Sequence, residues 1–165
     1  TSTYMGMMLL KTREDAKEIK DHILNVVAPR IPPDLWERYQ AFYFIVKPKF
    51  ELQREMFLTK FDELFGGRLN GRCYTNEQTT HAKTVVPWDQ ELFISMGWEN
   101  KLFGSQRLNI PMPPDPGLVM MLASTYYIIG RIQTQFPPWF LTHADEYKQF
   151  QEDLFRRIEA EGLGD

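Results

Sequence analysis

Three histidines, one cysteine and four pairs of neighbouring carboxylates are the side chains in this 165-residue sequence most suited to chemistry. His143 stands three residues before Glu146, and His22 stands four residues after Glu18. On a helix each histidine would share a face with a carboxylate, the donor types that hold metals between facing helices. The di-iron pattern needs Glu three residues before His in two helices, with further glutamates, and that order is missing. Solvated or capping roles account for both pairs, so the expectation is no metal site. The pairs Glu14-Asp15, Asp62-Glu63, Asp145-Glu146 and Glu152-Asp153 are adjacent in sequence. Acid–base catalysis needs carboxyls set across a cleft in environments that separate their pKa values; these read as polar helix faces. Cys73 has His81 eight residues on, a thiol with a potential base, but no nucleophile signature surrounds either. The stretch FGGRLNGR offers glycines with Arg68 and Arg72, a candidate anion site. It matches neither the dinucleotide fingerprint nor the P-loop, because no Gly-Lys-Ser/Thr follows. No catalytic residue and no cofactor is indicated.

Proline-flanked aromatics carry more weight. APRIPPDLW, VVPWDQELF, NIPMPPDPG and FPPWFL each set apolar side chains beside prolines. Such segments can pin connectors to the chain's own core, or serve as docking surfaces, because stiff extended backbone loses little entropy on binding. Trp88, Trp98, Trp139 and Phe140 are the interface candidates.

Composition narrows the class. Hydrophobic residues at 43% and charged residues at 25% suit a globular chain, and 165 residues suit a single domain spanning 1–165. The net charge of −3 divides into +2 over residues 1–86 and −5 over 87–165, an asymmetry that favours contact between copies. Basic residues such as Arg68, Arg72 and Lys83 are too sparse for a nucleic-acid footprint. One cysteine excludes an internal disulfide, and the N-terminal apolar run lacks preceding positive charge. A cytoplasmic or other reducing compartment is expected, with no signal peptide.

The elements that must position these residues follow from periodicity. Residues 3–10 suit a short strand or an apolar arm. A helix follows, with Thr12 as its cap and Ala16, Ile19, Ile23, Val26 and Val27 on one face. Leu35, Trp36, Tyr39, Phe42, Tyr43 and Val46 predict a second helix running into AFYFIV, although that run also suits a strand. A third covers 51–65 and ends at glycine. Asn70-Gly71 predicts a small hairpin near 67–75, and PWDQELFISMGW a brief helix. Residues 104–116 read as a proline-rich connector.

The most apolar stretch, about 115–136, has an uninterrupted run of only fourteen residues, from Gly117 to Gly130 inclusive, and is closed by Arg131. A membrane-crossing helix needs roughly twenty apolar residues, so it reads as a central buried helix. The last helix takes Thr142 as cap and packs its stripe of Tyr147, Phe150, Leu154 and Ile158 on the domain.

The expected fold is mainly α: five or six helices bundled around that central helix, with one small hairpin. The expected function is a non-enzymatic structural or interaction subunit of an assembly, with protein partners, copies of itself among them. The alternative is a helical ligand-binding domain or small enzyme, with Tyr126, Tyr127, His143 and Cys73 lining a pocket beside the central helix.

Overall fold

The computed structural model of the chain, which describes residues 2–81 and 84–162, is built on a four-stranded sheet. The strands are β1 (Ala41–Val46), β2 (Asn70–Thr75), β3 (Glu91–Met96) and β4 (Gln106–Ile110), in the order β2-β1-β3-β4 and all parallel. The expected helical bundle with one hairpin is therefore wrong: the fold is α/β.

The reason lies in the two central strands. Every residue of β1 and of β3 is buried, because both faces of the sheet are covered. Strands buried on both faces lose polar–apolar alternation and read as continuous apolar runs. AFYFIV does so throughout and ELFISM except at Glu91 and Ser95, and such a run satisfies a helical stripe as readily as a strand. Asn70-Gly71 is not a hairpin turn either. It opens β2, and a Cβ on Gly71 would lie 2.5 Å from Cδ1 of Phe61. The glycine is needed for close approach of a helix. The connector expected at 104–116 is also interrupted, since β4 occupies its middle.

One face of the sheet carries most of the core. Phe42, Phe44 and Val46 of β1, Cys73 of β2, Leu92, Ile94 and Met96 of β3 and Ile110 of β4 point to it. Two helices cover them. Helix α3 (Arg54–Phe65) contributes Phe57, Phe61 and Phe65, and ends where Gly66 adopts φ +54°. The helix expected around 115–136 is present as α5 (Leu118–Gln135), but it lies on a sheet rather than at the centre of a bundle. Its Met121, Leu122, Ile128, Ile129 and Ile132 join this core.

Outside α5 lies a smaller cluster. Val119 and Met120 meet Ile19 of α2 (Ala16–His22) and Met5, Met8 and Leu9 of α1 (Ser2–Thr12). Residues 3–10 are thus helical, neither strand nor arm. The cap of α2 is Asp15 rather than Thr12; its carboxylate accepts from the Lys17 and Glu18 amides. Glu14, in the α1–α2 turn, reaches 105 residues along the chain to cap α5. Its two oxygens accept from the Val119 and Met120 amides at 2.8 and 2.9 Å. The turn before it forces Arg13 to φ +59°.

The opposite face has a thinner cover. Tyr43, Ile45 and Phe93 are covered by Trp98 and Phe103, from the nine-residue crossover between β3 and β4. Parallel neighbours usually need a dozen or more residues to connect. This shorter crossover is fixed by Asn100, whose side chain accepts from the Leu102 and Phe103 amides and donates to the Phe103 carbonyl. A one-turn helix, α4 (Asn76–Thr79), closes the remainder, with a Thr75–Gln78 capping box and a Tyr43–Thr79 hydroxyl contact. Among the described residues no helix is long and apolar enough to cross a membrane.

Candidate functional site

An open parallel sheet usually binds ligands outside the carboxyl ends of its strands, where the strand order reverses. Here β1 leads to β2 on one side and β3 to β4 on the other, so the reversal lies between β1 and β3. The chain itself narrows that place. Gly97, at φ +72°, donates its amide to the Ile110 carbonyl at 2.8 Å. The Cβ of Met112 stands 3.1 Å from where a Cβ on Gly97 would be, and Cε of Lys47 stands at 3.8 Å. A cleft of about 450 Å³ opens alongside, and its only ionisable lining groups among the described residues are Arg30 and Glu99. Nothing there resembles a nucleophile with its base.

The residues expected to form a ligand pocket are dispersed. Tyr126 lines a cleft of about 330 Å³ with Tyr4, Met56 and Lys60, and none of the other three candidates lines it. Burial pushes the Tyr126 phenol up in pKa. Tyr127 packs against the main core. Cys73 is 1% exposed in the middle of β2, and burial pushes its thiol up to about 12. A thiol so protonated is no nucleophile, and its proposed base, His81, is exposed on the surface.

The candidate anion site also separates. Arg68 is exposed and lines a cleft with Gln40, Leu64 and Phe136. Arg72 crosses the ring of Tyr43, 4.7 Å from its centroid, to reach Glu91 on the far side. Its Nη2 lies 2.6 Å from a Glu91 oxygen and its Nε 3.0 Å. Glu91 is 3% exposed, so the arginine's charge is engaged in holding a buried carboxylate. Lys83 lies outside the described residues. Among those described, no group of three or more His, Cys, Asp or Glu side chains could hold a metal ion.

The interface candidates fare differently from one another. Trp98 packs on Phe103, 6.0 Å between centroids, as part of the sheet's cover. Trp88 is exposed beside Val85 and Val86, near the start of β2. Trp139 and Phe140 lie in the 3-10 turn Trp139–Leu141, just before the last helix, α6 (Ala144–Ala160). The Trp139 ring stacks on His143 at 4.4 Å and 8°, while Nδ1 of His143 sits 3.0 Å from the Trp139 carbonyl. His143 thus holds the turn and is itself the cap residue of α6, without a side-chain capping bond; Thr142 is not the cap. Phe140 packs on Tyr147 at 5.6 Å.

Helix α6 is where the structure departs most from expectation. Among the described residues its apolar stripe has no extensive contact with the sheet or the helices on it: no residue of α6 is buried, and the helix touches chiefly the turn before it. Phe150 is 64% exposed and Phe155 58%, with Leu154 and Leu141 also in solvent. Sequence periodicity identified the stripe but omitted Phe155, which widens it. No protein-family model matches the chain, and neither a curated protein nor a solved structure is similar enough to count as a match.

Proposed function

We propose that this chain is an interaction subunit that binds another protein chain through α6 and the Trp139–Leu141 turn. One observation carries the reading: an amphipathic helix of 17 residues with no buried residue, whose apolar side meets little beyond the turn that precedes it. Most of a protein helix's stability comes from packing its amphipathic face, and contiguous exposed apolar surface marks interaction sites. A strand-end cleft whose described lining holds no nucleophile with a base, and the buried, protonated Cys73, favour this over catalysis. A single buried thiol also suits a reducing compartment.

The test is whether the fold uses the stripe. In a dilute monomer, Phe150→Ser with Phe155→Ser leaves the melting temperature within about 1 °C of wild type, as surface changes do. The α6 amides then exchange with solvent far faster than those of α5. A drop of several degrees, or protection in α6 equal to that of α5, means that the stripe packs on its own domain and overturns the reading.

A further inference from the structure

We propose that the partner of α6 is the α6 of a second copy of this chain, packed antiparallel. This rests on the interaction reading above and adds to it the identity of the occupant.

The argument is the register of the apolar and charged residues on the helix. Tyr147, Gln151, Leu154 and Ile158 follow one another at spacings of four, three and four, the seam of a two-helix contact, with Phe150 and Phe155 on its two flanks. An antiparallel pair centred between residues 152 and 153 sets Tyr147 against Ile158 of the other copy and Gln151 against Leu154. The same alignment completes the flanks. Lys148 falls over Phe155 of the other copy, and one turn to either side of that phenylalanine stand Glu152 and Glu159. Arg157 falls over Phe150 of the other copy, which is bracketed likewise by Glu146 and Asp153. Both cations thus find an aromatic face and two carboxylates, once in each direction. Within the monomer Lys148 and Arg157 make no ion pair among the described residues; Glu152 and Asp153 pair with Arg156, on the outer side of the helix.

Other arrangements lack this match. A parallel pair sets Lys148 beside His143 and leaves Arg157 facing the helix end, so neither cation meets an aromatic face and each has a single carboxylate one turn away, Glu146 and Glu159 respectively. It also brings the two folded bodies together at one end, whereas the antiparallel pair separates them by the helix length, about 25 Å. Five acids against three bases on α6 disfavour an anionic lipid surface, which selects a basic polar face. The stripe offers an interface on the order of 1,000 Å² in total, at the small end of specific contacts, so the pairing is reversible.

The experiment is sedimentation of the purified chain from about 1 to about 300 μM, the range in which so small a contact shows itself. It is paired with disulfide trapping in two single variants, Tyr147→Cys and Ile158→Cys. The wild-type mass rises towards that of a dimer. Phe150→Ser with Phe155→Ser abolishes the rise, and Lys148→Glu weakens it about tenfold. In the antiparallel register like positions 147 lie about 16 Å apart along the axis. Neither cysteine variant therefore cross-links alone, while an equimolar mixture does; Cys73 is buried and does not compete. A wild-type chain that stays monomeric throughout overturns self-pairing, while the stability test above separately decides whether α6 docks another protein. A dimer indifferent to the phenylalanine changes, or cross-linking of either cysteine variant alone, overturns the proposed contact.

Discussion

Removing the carboxylate of Glu14 tests how the N-terminal helices are joined to the rest of the fold. The cap residue of α5 is Gly117, which has no side chain to satisfy the helix's first amides. Glu14 takes that role from the α1–α2 turn, with one oxygen for Val119 and the other for Met120. Loss of a cap costs about 0.5–2 kcal/mol, and loss of a negative charge at a helix N-terminus about 0.3–1 kcal/mol more. Glu14→Ala should therefore destabilise by about 2 kcal/mol, or about 4–8 °C in melting temperature for a chain of this size. The reciprocal change is Gly117→Ala, whose Cβ would fall 2.1 Å from the Glu14 Cδ, and whose three nearest atoms all belong to that carboxylate. It should cost a similar amount by expelling Glu14. The double variant decides the matter. Once the carboxylate is gone, Gly117 at φ −75° can accept alanine, and the stiffer unfolded chain returns about 0.4–1 kcal/mol. The pair should then be no less stable than Glu14→Ala alone, a non-additivity of about 2 kcal/mol by thermal and urea unfolding. Additive losses, or a shift below about 1 °C for Glu14→Ala, would refute the reasoning.

Two further outcomes follow from the sheet. Arg72→Ala strands the buried carboxylate of Glu91 and should cost about 3–5 kcal/mol, read as a lower urea midpoint; replacing both by leucine should cost much less. Burial raises the Cys73 thiol from 9.0, and the Tyr43 phenol from 10.0, to about 12 in each case. The folded state thus holds both protons more tightly than the unfolded chain. The stability they contribute is complete below pH 9 and is lost as pH rises towards 12, so the melting temperature should fall across that window. Cys73→Ala should delay the onset of that fall, and a thiol reagent should modify Cys73 only at the rate of unfolding.

Three helices were legible because their apolar positions recur over many turns: α3, α5 and α6 stand close to where periodicity put them, whereas α1 was read as a strand or an arm. The sheet was not. In AFYFIV six consecutive apolar residues satisfy every period at once, and what distinguishes a doubly buried strand from a helix is its shortness. The nine residues between β3 and β4 look too few for a parallel return, and only the Asn100 hub shows how they suffice. For the candidate site, periodicity revealed the stripe of α6 and proline spacing marked Trp139 and Phe140 beside it. Whether such a stripe is covered depends on where the chain turns after α5, and no local pattern encodes that. Glu91 and Glu14 were invisible for the same reason: their partners lie 19 and 105 residues away.

The position of α5 also bears on how the chain is made. The sheet face carrying Phe42, Phe44, Leu92 and Ile94 is completed by α5, whose Ile128 and Ile132 join the phenylalanines of α3 in that core. During synthesis at about 5–20 residues per second, roughly 4–17 s separate the end of β1 from the completion of that roof. Through that interval the nascent chain presents aromatic strands with only α3 available to cover that side, so this face is open to misassociation in the ribosome-bound state and closed in the finished protein.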